Sequence, residues 1–258
     1  MLPFMNTSIN PTGQGGAFRA DSPGPRLRLP APRPSRVARA FAGLIIPSLL
    51  LALSIGCLQV FEKKQGSGVE ASEARSVEGE VTAVNLYGSP TVNITVEPGA
   101  ETRIVVTTDD NLLADVLTEM EGGALSIRTQ GNLRPTKGIT VQVTVPSLDA
   151  VSLYGSGDMN VAGLAAGDFV ASLTGSGDIR LAGKCDTANF QLTGSGDLAA
   201  RDLEAQSATA KLTGSGDISL TARASASLGI TGSGDIVVAG TPAQITRSVT
   251  GSGSIRSE

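Results

Sequence analysis

The 258-residue chain contains no histidine and no tryptophan, and it has only two cysteines, two tyrosines and six phenylalanines. Without histidine there is no Ser-His or Cys-His nucleophile pair and no histidine-ligated zinc. Cys57 lies in an apolar segment and Cys185 in a repeat, so their context predicts no disulfide between them. So few aromatic rings also make a sugar-stacking platform hard to build, which leaves a polysaccharide-acting enzyme as the least favoured alternative. These absences predict a protein that is not an enzyme.

Basic residues are concentrated in the N-terminal part of the chain. Six of the 20 Lys and Arg residues, but only one of the 24 acidic residues, precede residue 58, so the remainder carries a formal charge of −9. A domain with this charge lacks the basic footprint of a nucleic-acid-binding protein. Residues 1–40 are rich in Pro, Gly, Ser and Arg, and their composition predicts a disordered leader.

Residues 41–60 form an uncharged, mostly apolar run directly after the arginines. Its length suits a membrane span, and the preceding arginines predict that residues 58–258 are exported to the cell envelope. Three interpretations stay open, namely a retained anchor, a cleaved signal peptide and a lipoprotein signal in which Cys57 is lipidated. Residues 61–76 are small and polar, which predicts a flexible linker between the membrane and a folded domain.

A Gly-Ser-Gly turn recurs through the C-terminal half. The first glycines of successive copies are separated by 20, 19, 20, 18 and 19 residues, and they are Gly155, Gly175, Gly194, Gly214, Gly232 and Gly251. A period of about 19 residues fits one coil of a β-solenoid. The glycines permit a sharp corner and close stacking of corners. A phosphate-binding loop is the weaker interpretation, because strand residues rather than a helix follow each turn.

Apolar and polar residues alternate on both sides of each turn. One apolar column precedes the turns (Leu153, Leu173, Leu192, Leu212, Ile230, Val249), and another follows them (Met159, Ile179, Leu198, Ile218, Ile236, Ile255). This alternation is typical of half-buried strands, and stacking coils about 4.8 Å apart makes each column continuous. The sequence therefore predicts an all-β, right-handed β-solenoid, similar to a parallel β-helix, over residues 77–257.

Further strands are predicted ahead of the repeats by alternation and turn residues. They cover residues 77–86, 91–96, 103–107, 116–121, 124–128 and 139–145. Asp109 or Asp110 is predicted to cap a short helical turn that follows it, in a structural rather than a catalytic role.

Residues 86–90 (LYGSP) echo residues 153–157 (LYGSG) and predict a degenerate coil. This echo, the Val-Glu-Pro-Gly hairpin, the Thr-Asp-Asp-Asn-Leu-Leu segment and the serial Gly-Ser-Gly-Asp turns together resemble the putative auto-transporter adhesin, head GIN domain family. The resemblance covers about residues 77–257. It implies a single β-solenoid domain on a secreted or envelope-bound bacterial protein, often behind a signal or lipoprotein leader. It supplies no binding residues.

One carboxylate follows each of five turns: Asp158, Asp178, Asp197, Asp217 and Asp235. Stacking in register would place neighbouring carboxylates about 5 Å apart, at a cost of about 1 kcal/mol per pair in water. Hydrogen bonds from the turns would offset this repulsion. Calcium is the alternative, because nonapeptide β-rolls carry a similar turn, although their nine-residue period is missing here. No other cofactor is expected.

An outward threonine follows the first apolar column in five coils: Thr174, Thr193, Thr213, Thr231 and Thr250. A flat polar face of this kind predicts weak contacts with a surface polysaccharide or a partner protein. The open ends of a solenoid are unpaired strand edges, so end-to-end self-association is a further expectation. The sequence therefore predicts a surface adhesion or scaffolding domain. The alternative is a structural envelope component, with or without calcium.

Overall fold

In a computed structural model, the described part of the chain is residues 63–258, and most of it is β-strand. The predicted leader, the apolar run at 41–60 and Cys57 lie outside this part. Within 63–258 no helix is long and apolar enough to cross a membrane. The elements are β1 (Lys64–Gln65), β2 (Glu70–Arg75), β3 (Ala83–Gly88), β4 (Thr91–Val96), β5 (Arg103–Asp109), a 3₁₀-helix (Asp110–Asp115), β6 (Val116–Glu121), β7 (Ala124–Thr129), β8 (Leu133–Arg134), β9 (Thr140–Val145), β10 (Ala150–Gly155), β11 (Asp158–Gly175), β12 (Asp178–Gly194), β13 (Leu198–Gly214), β14 (Ile218–Gly232), β15 (Asp235–Ala239), β16 (Gln244–Gly251) and β17 (Ser254–Ser257).

The strands form a β-solenoid of about five turns. Each long strand from β11 to β13 pairs in parallel with the next, and Gly175, Gly194 and Gly214 lie in register. The period seen in the sequence is therefore the length of one coil, which confirms the predicted stacking. The predicted right hand of the coil stays a prediction.

The predicted apolar columns form the core. Leu153, Leu173 and Leu192 are at most 1% exposed, whereas Arg180, which alternates with core positions, lies on the surface. Val249 is 45% exposed because it belongs to the last coil, over which no further strand of the described chain packs. Period-two alternation thus selects the buried face correctly in all coils except the terminal one.

The residues ahead of the repeats build the N-terminal end of the solenoid. Strands β3 and β4 pair in parallel with β10 and β11, and Tyr87 lies in register with Tyr154, which confirms the degenerate coil at 86–90. Beyond them β7 and β9 continue the two faces in parallel. The faces then close with antiparallel strands, β6 on one and β5 followed by β2 on the other.

The prediction of a flexible linker over residues 61–76 is wrong for two segments. β2 pairs antiparallel with β5 over six residues, and β1 pairs in parallel with β8. The side chains of β2 are mostly exposed, so its polar sequence carries no alternation that would have revealed a strand. Backbone hydrogen bonding to the edge of the sheet, rather than burial, fixes this segment.

The last coil places polar side chains where earlier coils have apolar ones. Arg247 lies in register with Leu228, and Ser257 with Val238. The Arg247 guanidinium donates a hydrogen bond to the Ser257 hydroxyl across the end of the core. Inward-pointing charge is a common protection against strand-edge pairing, so this coil weakens the driving force for the end-to-end association expected from the sequence.

Candidate functional site

The Gly-Ser-Gly turns stack through their own backbone. The amide of Ser176 donates to the carbonyl of Gly155 at 2.9 Å, and the amides of Ser195 and Ser215 donate to Gly175 and Gly194 at the same distance. Because these N–H groups bond to the neighbouring coil, they are not free to cradle a phosphate. The structural interpretation of the turns is the one that this geometry supports.

The aspartates after the turns form a hydrogen-bonded ladder. Oδ1 of Asp178 accepts the amide N–H of Asp197 at 3.3 Å, and Oδ1 of Asp197 accepts that of Asp217 at 3.0 Å. Asp217 accepts the amide of Asp235 at 2.8 Å in the same way. Asp158 lies in register with Asp178 at the start of the series. Each bond satisfies a backbone donor of the next coil, which offsets the repulsion between neighbouring carboxylates.

Cations and a hydroxyl close the two ends of this aspartate ladder. Arg180 donates to Asp178 at 2.9 Å, and the Arg256 guanidinium lies 3.6 Å from Asp235. Asp235 also accepts both the hydroxyl and the amide of Ser254, and these hydrogen bonds lower its pKa below the ordinary value. A carboxyl held in this way is ionised at neutral pH.

The ladder lacks the geometry of a metal site. Among residues 63–258 no three Cys, Asp or Glu side chains converge closely enough to hold a metal ion. The carboxylates instead follow one another along a line, one for each coil. The arrangement therefore favours the hydrogen-bonded interpretation of Asp158, Asp178, Asp197, Asp217 and Asp235 over calcium binding.

Substitution of Asp197 distinguishes the two interpretations. We expect Asp197→Ala to lower the free energy of unfolding by about 1 kcal/mol, because the amide of Asp217 loses its acceptor. Asp197→Asn keeps an acceptor oxygen and should retain most of this stability. Thermal unfolding with and without millimolar calcium provides the measurement. A rise of the melting temperature in calcium that Asp197→Asn abolishes would contradict the hydrogen-bonded ladder.

The threonines predicted to face outward form one straight column. Thr174, Thr193 and Thr213 lie in register and are exposed. Tyr87 and Tyr154 extend the column, with ring centroids 5.1 Å apart, an interplanar angle of 9° and 41% exposure each. The shared position of the two tyrosines in the LYGS echo could have revealed this stacked pair from the sequence.

Cys185 is an inward residue of β12 and is buried. Burial raises the pKa of its thiol to about 11, and the nearby carboxylates of Asp186 and Asp168 add to this effect. The thiol is therefore protonated at neutral pH and is a poor nucleophile. Its role is that of a small core residue.

Asp109 is a fully buried carboxylate whose role the sequence did not reveal. Of the two residues predicted to cap the 3₁₀-helix, Asp110 accepts the amide of Asn111 at 2.7 Å, whereas the Asp109 side chain makes no capping hydrogen bond. Oδ1 instead accepts the amide of Gly68 at 2.7 Å, and Oδ2 accepts those of Thr136 at 2.7 Å and Lys137 at 3.2 Å. The carboxylate thus joins the segment ahead of β2 to the loop ahead of β9.

Acidification should release this clamp. Burial raises the pKa of Asp109, but the three backbone donors outweigh it and hold the pKa below its ordinary value. The clamp therefore stabilises the fold fully above the unfolded pKa of about 3.9 and loses its effect as the pH falls through the lower folded value. We expect Asp109→Asn to be less stable than the wild type at pH 7, and the difference to shrink below about pH 4.

Chemical denaturation of both proteins across this pH range measures the difference, with amide hydrogen exchange at residues 66–75 as a local readout. Asp149→Asn, on the surface, provides the control. A stability difference that stays constant from pH 7 down to full protonation would contradict the role assigned to the ionised carboxylate.

A family model described as putative auto-transporter adhesin, head GIN domain, matches residues 82–242. Among solved structures, the chain is similar to a putative adhesin from Bacteroides fragilis NCTC 9343, with 22% identity and a TM-score of 0.63 over 75% of this chain and 99% of that one. This similarity shows a shared fold.

Two further solved structures are similar at lower TM-scores. One is a putative lipid binding protein from Parabacteroides distasonis ATCC 8503, with 24% identity, a TM-score of 0.46 and coverage of 76% of this chain and 100% of that one. The other is a putative adhesin from Parabacteroides merdae ATCC 43184, with 19% identity, a TM-score of 0.46 and coverage of 75% and 98%. No curated protein matches the chain.

Proposed function

The chain belongs to the putative auto-transporter adhesin, head GIN domain family, and from this membership we propose that it is a cell-envelope adhesion or scaffolding domain that is not an enzyme. Its solenoid presents a surface to a repetitive polysaccharide or to a partner protein. The family supports a location at the cell surface or in the envelope.

The observation that carries this proposal is the threonine column with its two tyrosines. Hydroxyl groups recur along it at the coil spacing of about 4.8 Å, and the backbone that holds them is bonded to the coils on both sides. A rigid row of identical donors and acceptors complements a ligand that is itself periodic. Many weak contacts of this kind give useful affinity only in combination.

The state of three titratable groups supports the proposal that the domain is not an enzyme. A general acid needs a raised pKa and a group free to reach a substrate. Asp109 and Asp235 both have lowered pKa values, and both are committed to hydrogen bonds within the fold. Cys185 is a buried thiol with a raised pKa. None of these three groups meets the requirement.

Export of residues 58–258 is part of this proposal, and the arginines and the apolar run at 41–60 support it. Cell fractionation with mass spectrometry of the mature N-terminus tests it. A diacylglyceryl group on Cys57 would establish a lipoprotein, and an intact Met1 in the membrane fraction would establish an anchor. Full-length protein recovered in the cytosol would overturn export.

Retention of envelope material tests adhesion. Full-length protein, purified in detergent and immobilised on beads, is incubated with envelope polysaccharides and cell-surface extracts. We expect specific retention that is lost when Thr193 and Thr213 are both changed to lysine. The matched control changes Thr187 and Gln206, which are exposed on the return part of the coils, to lysine.

Retention by the control but not by the threonine variant supports the proposed face. Equal retention by both variants overturns that face. No retention of any fraction by the wild type overturns adhesion and leaves a structural envelope component. Turnover of a glycan during incubation would overturn the non-enzymatic assignment.

A further inference from the structure

The coils of the solenoid differ in length, and around β12 the difference is taken up at one corner. The coil from Gly175 to Gly194 has 19 residues, whereas the coils on either side have 20. The pairing register shifts after Val161 on one side of this coil and after Arg180 on the other. The shorter coil therefore turns its corner one residue earlier than both neighbours.

A groove of about 370 Å³ lies at this corner. Its volume is within the range of about 300–1,000 Å³ typical of small-molecule sites. The floor of the groove is lined by the small side chains of Ala162, Ala182 and Ala199. Atoms of the core residue Leu181 add apolar surface. The wall formed by the longer neighbouring coil carries Arg201 and Asp202.

The groove follows the axis along which the coils stack. Five of its lining residues occupy one outward column in five successive coils: Asn93, Asn160, Arg180, Ala199 and Ser219. At a coil spacing of about 4.8 Å, this column extends over roughly 19 Å. A ligand that fills it is long and narrow rather than compact.

Polar groups of complementary kinds line the groove. The Asn160 amide donates to Oδ1 of Asn93 at 2.9 Å, which orients both side chains. The amide donors and acceptor that this bond does not use are available to a ligand in the groove. Arg180 pairs with Asp178, and Arg201 pairs with Glu258, both in exposed pairs. Exposed ion pairs are weak, so a ligand can exchange with them at little cost.

Two guanidinium groups, those of Arg180 and Arg201, lie in or beside the groove with three carboxylates, those of Asp178, Asp202 and Glu258, so one negative charge is in excess. An anionic polymer gains no net attraction there. Strand addition by an extended peptide needs an unpaired strand edge, and the strands here are paired on both sides. A sugar ring carries hydroxyl groups at its edge, which match the amides and guanidinium groups of the groove. Its apolar faces match the alanines of the floor.

We infer that this groove is a second binding site, separate from the threonine column, and that it takes a linear, uncharged oligosaccharide. Ala199 is the fourth of the five residues in the column, and Gln142 occupies the same column further along the stack. A glutamine at position 199 is therefore compatible with the strand while it fills the groove.

Isothermal titration of the full chain in detergent with β-1,4-linked hexamers of glucose, N-acetylglucosamine and xylose tests the inference. We expect at least one hexamer to bind. Ala199→Gln should raise the Kd of that hexamer roughly tenfold or more, because the glutamine fills the groove, and a change of this size corresponds to the loss of one or two hydrogen bonds. Ala165→Gln is the matched control, because Ala165 is exposed and lies in register with Lys184 away from the groove.

Binding that Ala199→Gln weakens, and that Ala165→Gln and the threonine-to-lysine variant retain, supports the groove. Binding that depends on the threonines instead overturns the groove and leaves the proposed adhesive function standing. Binding of none of the hexamers overturns the saccharide assignment, and envelope retention then reports on adhesion separately. Capture of a peptide in place of a sugar, sensitive to Ala199→Gln, also overturns the assignment.

Discussion

Replacement of Gly194 by alanine is expected to prevent stable folding of the central coils. Gly194 has φ of +138°, a conformation that L side chains rarely adopt, and an added Cβ would overlap the carbonyl oxygen of Gly175 in the neighbouring coil. Strain of this kind alone costs about 1–3 kcal/mol. Displacement of the adjacent backbone, which propagates through the stacked turns, takes the loss above about 4 kcal/mol. Urea denaturation followed by far-ultraviolet circular dichroism measures it.

Gly229→Ala is the matched control within β14. Its φ is not positive, and an added Cβ would meet no atom within 4 Å. Alanine restricts the unfolded chain more than glycine does, so the change should be neutral or stabilising by up to about 1 kcal/mol. Comparable losses at Gly194 and Gly229 would show that the turns do not depend on close backbone approach.

Truncation of Leu173 to alanine is expected to cost about 2–5 kcal/mol, through lost burial and the cavity left behind. Leu173 is fully buried between Leu153 and Leu192, which lie in register with it. Neighbouring coils stack by their backbones, so they cannot close readily over the missing side chain. The free energy of unfolding in urea provides the value.

Arg180→Ala and Ser219→Ala serve as controls in positions that alternate with the core. The ion pair of Arg180 with Asp178 is more than half exposed on the arginine side and contributes at most about 1 kcal/mol. Ser219 is half-buried at the surface. Losses at these positions as large as that of Leu173→Ala would show that the assignment of inward and outward residues is incorrect.

The repeated half of the molecule was predictable because its contacts repeat with the sequence. Each coil touches only its neighbours, so an unbroken column such as Leu153, Leu173 and Leu192 states both the register and the buried face. The stacked aspartates followed for the same reason. The sequence favours hydrogen bonds from the turns to these carboxylates but leaves calcium open, because the choice between a backbone amide and a cation depends on distances of a few tenths of an ångström.

The N-terminal part was less predictable because its decisive contacts join distant segments. Asp109 binds amides at Gly68 and Thr136, which are 41 and 27 residues away, and no local pattern marks such a clamp. β2 is an edge strand with a polar sequence, so it resembles a linker in composition. The groove was also missed, although the differences between glycine spacings that produce it were visible.

The unequal coil lengths show that the inner pairings of this fold are kept while the register at the corner changes. A residue inserted or deleted at the corner after Arg180 alters the register there, yet Gly175 and Gly194 remain paired and so do Leu173 and Leu192. Indels at this corner therefore reshape the outer surface without loss of the inner ladders. Small length changes at one corner are therefore a way for domains of this fold to vary the shape of the proposed groove while the core stays constant.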